Sequence, residues 1–128
     1  VQAAQAAVAA CLANGYKVTA LITDSAGDPV VLLSGDGVGL RTQAIAKTKI
    51  AAVMKYKMSS GDLLIKTKTD PKLDAEIKAD PAIGVLRQGA VPIMNGGEMV
   101  GAFAVSGAPG GEKDEACITA ALAKAPLK

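Results

Sequence analysis

The sequence contains no histidine. This absence excludes a Ser-His-Asp triad, general base catalysis by imidazole, and histidine ligation of zinc, copper or haem iron. Tryptophan is also missing, and aromatic residues make up only 2% of the chain. With few rings for stacking on bases and a net charge of only +2, the sequence predicts no nucleic acid partner.

Cysteines are few, and no long apolar segment occurs. Cys11 and Cys117 show no CxxC spacing; the sequence favours two buried structural thiols and leaves open whether they bond to each other. No run of eighteen apolar residues is present, so no membrane span is expected. The first residues lack a basic region and are interpreted as a helix of the mature fold. The compartment stays open between cytoplasmic and, after removal of an upstream leader, periplasmic or secreted.

The residues that are present indicate one compact domain over 1–128. A chain of 128 residues is long enough for one buried core and too short for two. Half of the residues are hydrophobic, and because aromatics are scarce the core must be built from Ala, Val, Ile, Leu and Met. Such small side chains allow helices to approach a sheet closely.

The first half of the chain predicts a helix, a hairpin and a second helix. Apolar residues at helical spacing over 2–14 end at Gly15. The segments KVTALITD (17–24) and VVLLSG (30–35) flank the turn residues SAGDP, which predicts two strands in a hairpin. The longest helix is predicted near 40–57, with an apolar set at Leu40, Ala44, Ile45, Ala51, Ala52 and Met54.

The second half predicts two short helices, another hairpin and a closing helix. Within residues 59–88, SGDLLIK and DPKLDAEIK each predict a short helix with an N-terminal Ser or Asp cap. The strands GAVPIM and EMVGAFAVSG are joined by NGG, and the last helix runs from about Gly111 to before Pro126. The sequence therefore predicts an α+β fold, an antiparallel sheet with helices packed mainly on one face.

Residues 95–115, NGGEMVGAFAVSGAPGGEKDE, place six glycines before an acidic cluster. Glycines at a helix start can expose amides to a phosphate. However, no Gly-Lys-Ser/Thr follows, and the carboxylates of the first helical turn would repel a phosphate. We therefore expect the glycines, including Gly101 within a strand, to permit close approach of neighbouring groups.

The longer segment GAVPIMNGGEMVGAFAVSGAPGGEKDEACITAAL (89–122) resembles the signature of the GlcG/HbpS-like haem-binding, haem-degrading family, which is related to the C-terminal domain of PduO-type corrinoid adenosyltransferases. The hairpin ITDSAGDPVVLLSGDG and the helix AIAKTKIAAV are also similar to family patterns. The residues that match are Asp24, Gly27, Asp36, Lys47, Gly89, Pro92, Ile93, Gly97, Gly101, Val105, Ser106, Gly107, Asp114 and Glu115.

This resemblance implies a profilin-like or PAS-like domain that assembles into dimers or larger homo-oligomers. It also implies binding of haem or another tetrapyrrole, and in some members haem degradation, iron-linked sensing or corrinoid handling. The chain departs from the family at Ala90, where a second glycine is usual, and in having no histidine for the iron. Haem ligation by histidine is therefore not carried over.

The candidate ligand-binding residues combine the resemblance with local charge. Residues 41–78 hold Arg41 and eight lysines against four acids, an excess that would attract propionates or other carboxylates. Lys47 is chosen because it matches the lysine of the family helix. The proposed ligand-binding set is Lys47, Arg41, Gly89, Pro92, Gly101 and Ser106.

Iron and other metals have weaker candidates. Haem iron accepts Tyr, Met or Cys as well as His, which leaves Tyr16, Tyr56, Met54, Met58, Met94, Met99 and the two cysteines. Glu112, Asp114 and Glu115 could together hold a hard cation, although helix capping explains them without a metal.

Three functions remain open from the sequence. The first is an oligomeric domain that binds a small anionic ligand or a haem-like tetrapyrrole. The alternative is an enzyme that acts on an anionic oxo-acid or aromatic acid through Asp36, Arg41 and Lys47; a structural assembly partner is the residual choice. Homo-oligomers are expected because the Ala-rich first helix and the glycine-spaced strand offer small-residue surfaces for a self-complementary interface.

Overall fold

The fold was analysed in a computed structural model that describes residues 1–125. These residues form five helices and four strands. Their bounds are α1 Gln2–Ala13, β1 Thr19–Thr23, β2 Pro29–Ser34, α2 Leu40–Tyr56, α3 Ser60–Thr67, α4 Pro71–Ala79, β3 Ala90–Asn95, β4 Glu98–Ser106 and α5 Gly111–Lys124. None of these helices combines the length and apolarity needed to cross a bilayer.

The four strands form one antiparallel sheet in the order β2-β1-β4-β3. Both predicted hairpins, β1–β2 and β3–β4, are present. Asn95 pairs with Glu98, so Gly96 and Gly97 alone form the second turn. The first strand of the first hairpin, β1, pairs with the last strand of the second hairpin, β4, which places these two strands at the centre of the sheet. The α+β class is confirmed.

The helices lie on both faces of the sheet, which corrects the expectation that they pack mainly on one. Along β4, Phe103 and Val105 point into a cluster that includes residues of α1 and α5. Ala102 and Ala104 point the opposite way, towards Ile50 and other residues of α2. The strand side chains alternate in direction, and because both sets are apolar, each face requires its own helical cover.

The small residues expected at a subunit interface are used within the chain. Ala3, Ala4 and Ala7 of α1 are buried in the cluster that this helix shares with α5 and the sheet. A Cβ on Gly101 would collide with the carbonyl oxygen of Thr23 in β1. The close approach at Gly101 is confirmed, but its partner is the neighbouring strand and not a second subunit or a flat ligand.

The cysteines are buried as expected, but they are not free thiols. Cys11 of α1 and Cys117 of α5 form a disulfide with a Cα–Cα distance of 5.5 Å. The expectation of two thiols is wrong because the two terminal helices pack side by side on one face of the sheet. The bond spans a sequence separation of 106 residues, for which chain entropy predicts a stabilisation of about 4–5 kcal/mol.

Replacing Cys11 and Cys117 together by alanine should lower the free energy of unfolding by about 2–5 kcal/mol, because the unfolded chain regains the freedom that the cross-link removes. Urea unfolding of the oxidised protein, with and without reductant, measures the effect. Reductant should lower the midpoint of the natural sequence and leave the double variant unchanged. Two titratable thiols in the unfolded, unreduced protein would contradict the bond.

Candidate functional site

An open cavity of about 540 Å³ lies where β4 ends and α5 begins. Its wall is formed by α2, by one residue of α3, by the segment before β3 and by the loop that leads from β4 into α5. The lining residues are Arg41, Thr42, Ile45, Lys49, Leu64, Arg87, Gln88, Ser106, Gly107, Ala108, Gly110, Gly111, Glu112 and Asp114.

Lys49 reaches this cavity from the buried side of α2. Ala46, Lys49, Ile50 and Val53 are the buried residues at i, i+3, i+4 and i+7 of the helix, the spacing that places side chains on one face. The lysine therefore occupies a core position among apolar neighbours, and its side chain is only 2% exposed.

The ammonium of Lys49 is paired inside the protein. Its Nζ donates to the Asp114 Oδ2 atom at 2.8 Å and to the Val105 carbonyl oxygen at 2.7 Å. The other oxygen of Asp114, Oδ1, accepts from the Ala108 amide at 2.9 Å. The pair therefore connects α2 to the end of β4, to the loop that follows β4 and to the first turn of α5.

Glycine 89 gives the ion pair its space. A Cβ at Gly89 would lie 2.5 Å from Lys49 Nζ and 2.9 Å from Asp114 Cβ, and the residue has a φ of +124° that side chains disfavour. Gly107 and Gly111 have similar roles beside it: added Cβ atoms would lie 2.5 Å from the carbonyl oxygens of Lys17 and Gln88, respectively. These glycines serve close backbone packing, as the sequence predicted.

Burial acts on both members of the pair in opposite directions. Desolvation lowers the pKa of Lys49, with Arg87 adding a smaller repulsion, while the hydrogen bond and charge of Asp114 oppose this shift. Desolvation raises the pKa of Asp114, against the hydrogen bond and charge of Lys49. Each group is held in its charged state by the other, because neither would be stable as an isolated charge at this depth.

Four of the sequence-predicted residues line the cavity and a fifth contacts it. Arg41 and Ser106 from the ligand-binding set lie in the wall, as do Glu112 and Asp114 from the metal set. Gly89 lies against the ion pair. The sequence did not single out Lys49 or Arg87, although a lysine three residues from Ala46 and four from Val53 was a signal for a buried cation.

The other predicted residues lie elsewhere. Asp36 is exposed and lines a separate groove between α1 and β2. Lys47 is exposed on α2. Side chains two positions apart in a helix point in directions that differ by about 200°, so Lys47 points outward when Lys49 points into the protein. Pro92 lies on the edge strand β3, and Gly101 packs on Thr23. The proposed catalytic set Asp36, Arg41 and Lys47 is therefore not brought together.

The three carboxylates of α5 do not form a metal site. Within residues 1–125, no group of three or more potential ligands is arranged to hold a cation. Asp114 uses both of its oxygens for Lys49 and Ala108. Glu112 lines the cavity, and Glu115 is not part of the lining.

The candidate iron ligands differ in their availability. The disulfide occupies both cysteine sulfurs. The Tyr56 hydroxyl donates a hydrogen bond to Glu76 at 3.0 Å. Three of the four methionines, Met54, Met58 and Met99, are packed against apolar clusters. Met94 is 51% exposed near the β3–β4 turn, on the edge strand away from the cavity lining.

Replacing Lys49 by methionine should destabilise the protein by about 3–5 kcal/mol, because it leaves the Asp114 carboxylate buried without a cation. Adding Asp114→Asn should recover most of this loss, since the amide oxygen still accepts from Ala108 and no buried charge remains. Urea unfolding of the single and double variants measures both effects.

The matched control is Lys55→Met. Lys55 forms a pair with Asp80 at 2.9 Å but its side chain is 46% exposed, so its loss should change stability by no more than about 1 kcal/mol. Equal destabilisation by the two lysine variants would contradict a buried pair at Lys49.

Solved structures share this arrangement of helices and strands. HbpS is 28% identical to the chain, with a TM-score of 0.83 over 98% of this chain and 86% of that one. A double mutant of HbpS from Streptomyces reticuli matches equally well, at 28% identity and a TM-score of 0.83, over 98% of this chain and 83% of that one. The complex of PduOC with haem is 20% identical, with a TM-score of 0.85 over 99% and 91%, and supports the fold alone.

No curated protein matches the chain at a significant level. The family model described as "Haem degrading protein HbpS-like" matches residues 1–123. This match extends from the first residue of the chain almost to the end of α5. The chain therefore belongs to the HbpS-like family of haem-degrading proteins.

Proposed function

We propose that this protein binds haem or a related tetrapyrrole without histidine ligation and does so as a homo-oligomer. The observation that carries the proposal is family membership over residues 1–123. A solved structure with the same fold, PduOC, is a complex with haem.

The chemistry of the cavity at the end of β4 fits such a ligand. Arg41 and Arg87 offer guanidinium groups to one propionate, and Ile45, Leu64 and Ala108 offer apolar contact to the ring. Arg41 and Ser106, chosen from the sequence as ligand-binding residues, remain part of this proposed site, and Gly89 remains as the residue that gives Lys49 its space.

Tyr16 is the residue that we favour as an iron ligand. It precedes Lys17, whose carbonyl oxygen lies against Gly107 of the cavity wall. Its ring also lies 5.6 Å from the ammonium of Lys113, which follows the wall residue Glu112. Tyrosine is a known haem ligand, and the Tyr16 ring is packed against the cluster that α1 and α5 share with the sheet.

Titration with hemin and with metal-free protoporphyrin tests this function. Both should bind saturably, because the propionates and the ring are common to the two ligands. Replacing Tyr16 by phenylalanine should shift the Soret band of the hemin complex and weaken hemin binding about tenfold, the effect of one lost interaction of about 1.4 kcal/mol. Protoporphyrin binding should be unchanged, because it has no iron.

Tyr56→Phe is the control, since its hydroxyl is engaged with Glu76 and its removal should leave both titrations unchanged. Failure of the natural protein to bind either ligand at micromolar concentration would refute the proposed function. Binding of both ligands with no effect of Tyr16→Phe would refute only the role of Tyr16.

The homo-oligomer is inferred from an uncovered part of the sheet. On one face of the sheet, α2 covers the strands β1, β4 and β3. The edge strand β2 is not covered, and its residues Val30 and Leu32 remain 64% and 41% exposed. Leu32 pairs with Leu21, which points towards α2, so this apolar strip continues the buried face. A second copy that packs on β2 would cover the strip and the unpaired edge.

Replacing Val30 and Leu32 together by glutamate should yield a monomer of 12.8 kDa in sedimentation velocity, because two charges would have to be buried in the contact. Val85→Glu, at a residue that is also 64% exposed but outside β2, should leave the mass unchanged. A 12.8 kDa species for the natural sequence at micromolar concentration would contradict self-association.

A further inference from the structure

The lining of the cavity at the end of β4 carries an uncompensated positive charge. Three cations, Arg41, Lys49 and Arg87, face two carboxylates, Glu112 and Asp114. Lys49 and Asp114 neutralise each other at 2.8 Å. Within residues 1–125 neither arginine belongs to an ion pair, which leaves two guanidinium groups with one carboxylate, that of Glu112.

The base of this cavity contains buried donors with unused capacity. An ammonium has three N–H groups, and Lys49 uses two of them for Val105 and Asp114. Ser106 is only 2% exposed, lines the cavity, and has no hydrogen-bond partner for its hydroxyl among the side-chain bonds within residues 1–125. Within residues 1–125 the one fully buried side-chain oxygen without a partner is that of Glu115, so the Ser106 hydroxyl is open to the cavity and can donate to a ligand or to water.

We propose that this cavity is a binding site for one carboxylate group attached to an apolar body. Ser106 and the third N–H of Lys49 receive the carboxylate at the base, and Arg41 and Arg87 hold it from the sides. The inference deepens the proposed function, since a propionate of a tetrapyrrole has this chemistry, but a free monocarboxylic acid has it as well.

The charge of the wall selects a single negative charge over two. One carboxylate brings the five charged groups and the ligand to neutrality, whereas a dianion would leave excess negative charge next to Glu112 and Asp114. Ile45, Leu64 and Ala108 provide the apolar part of the wall. These residues favour a carbon body over the oxygens of a phosphate or sulfate.

Titration of the full chain with 3-phenylpropionate tests the site, with 3-phenylpropionamide and sulfate as comparisons at constant ionic strength. The carboxylate should shift the backbone amide signals of Gly107, Ala108 and Gly110 saturably in two-dimensional NMR spectra. The neutral amide and the dianion should bind at least about tenfold more weakly, since a charged hydrogen bond contributes about 1.5–3 kcal/mol. Equal or tighter binding of sulfate, or saturation elsewhere on the protein, would overturn the inference.

Charge variants identify the donors. Arg41→Gln and Arg87→Gln should each weaken 3-phenylpropionate at least about fivefold, and Ser106→Ala should weaken it about threefold while retaining the fold. Lys72→Gln removes the same charge from an exposed residue of α4 outside the wall, and should change the affinity by less than about twofold. An equal effect of the three charge variants, Lys72→Gln included, would show a general field and would refute the site.

Hemin and its dimethyl ester separate the two possible sources of the carboxylate. If the propionate of a tetrapyrrole occupies the site, esterification and Arg87→Gln should both weaken hemin, and 3-phenylpropionate should compete with it. If 3-phenylpropionate binds but hemin does not, the carboxylate site stands and tetrapyrrole binding fails. If hemin binds and 3-phenylpropionate does not, the function stands and the site is wrong.

Discussion

The buried ion pair between Lys49 and Asp114 joins the two helical layers of the protein. The lysine comes from the helix on one face of the sheet, and the aspartate from a helix that covers the other. Burial makes each charge unstable alone, so the two helices have to meet at one place beside the end of β4. The Val105 carbonyl and the Ala108 amide complete the arrangement, and Gly89 gives it room. The position of α5 relative to α2 is therefore set by a polar requirement as well as by apolar packing.

The same pair determines the character of the cavity. Because Asp114 is neutralised internally, it contributes little to the potential outside, and the arginines dominate. Arg41 comes from the first turn of α2 and Arg87 from the segment before β3, so the cationic wall is assembled from parts of the chain that are distant in sequence. An ion pair that organises the layers thus also leaves a positively charged opening at their junction.

Local signals in the sequence predicted most of the fold, and the site was predicted only in part. The turn residues of the two hairpins and the capping side chain of Asp70 act over a few residues, and the structure contains each of them. The cap of α3 is Ser59, one residue before the serine at which the predicted segment begins. The apolar side of α2 was misjudged: of the six residues assigned to it, only Ala52 is buried. Which side of that helix is buried depends on the sheet face that it covers, and a sequence pattern with alanines all around does not specify this. For that reason Lys49 was missed, whereas Lys47 was chosen only because it matches the lysine of the family helix.

In the glycine-rich segment before α5, counting only the charges nearby in the sequence gives the wrong sign for the charge that the site favours. From the sequence, the acids of the first helical turn argue against a phosphate near these glycines. In the folded chain Gly107 and Gly111 pack on backbone carbonyls of Lys17 and Gln88, which is the close approach that the sequence predicted. Yet an anion is favoured there, because Lys49 cancels one acid and two arginines outweigh the other. The preference comes from residues that are distant in sequence. The wall carries one net positive charge because the charges of Lys49 and Asp114 cancel each other.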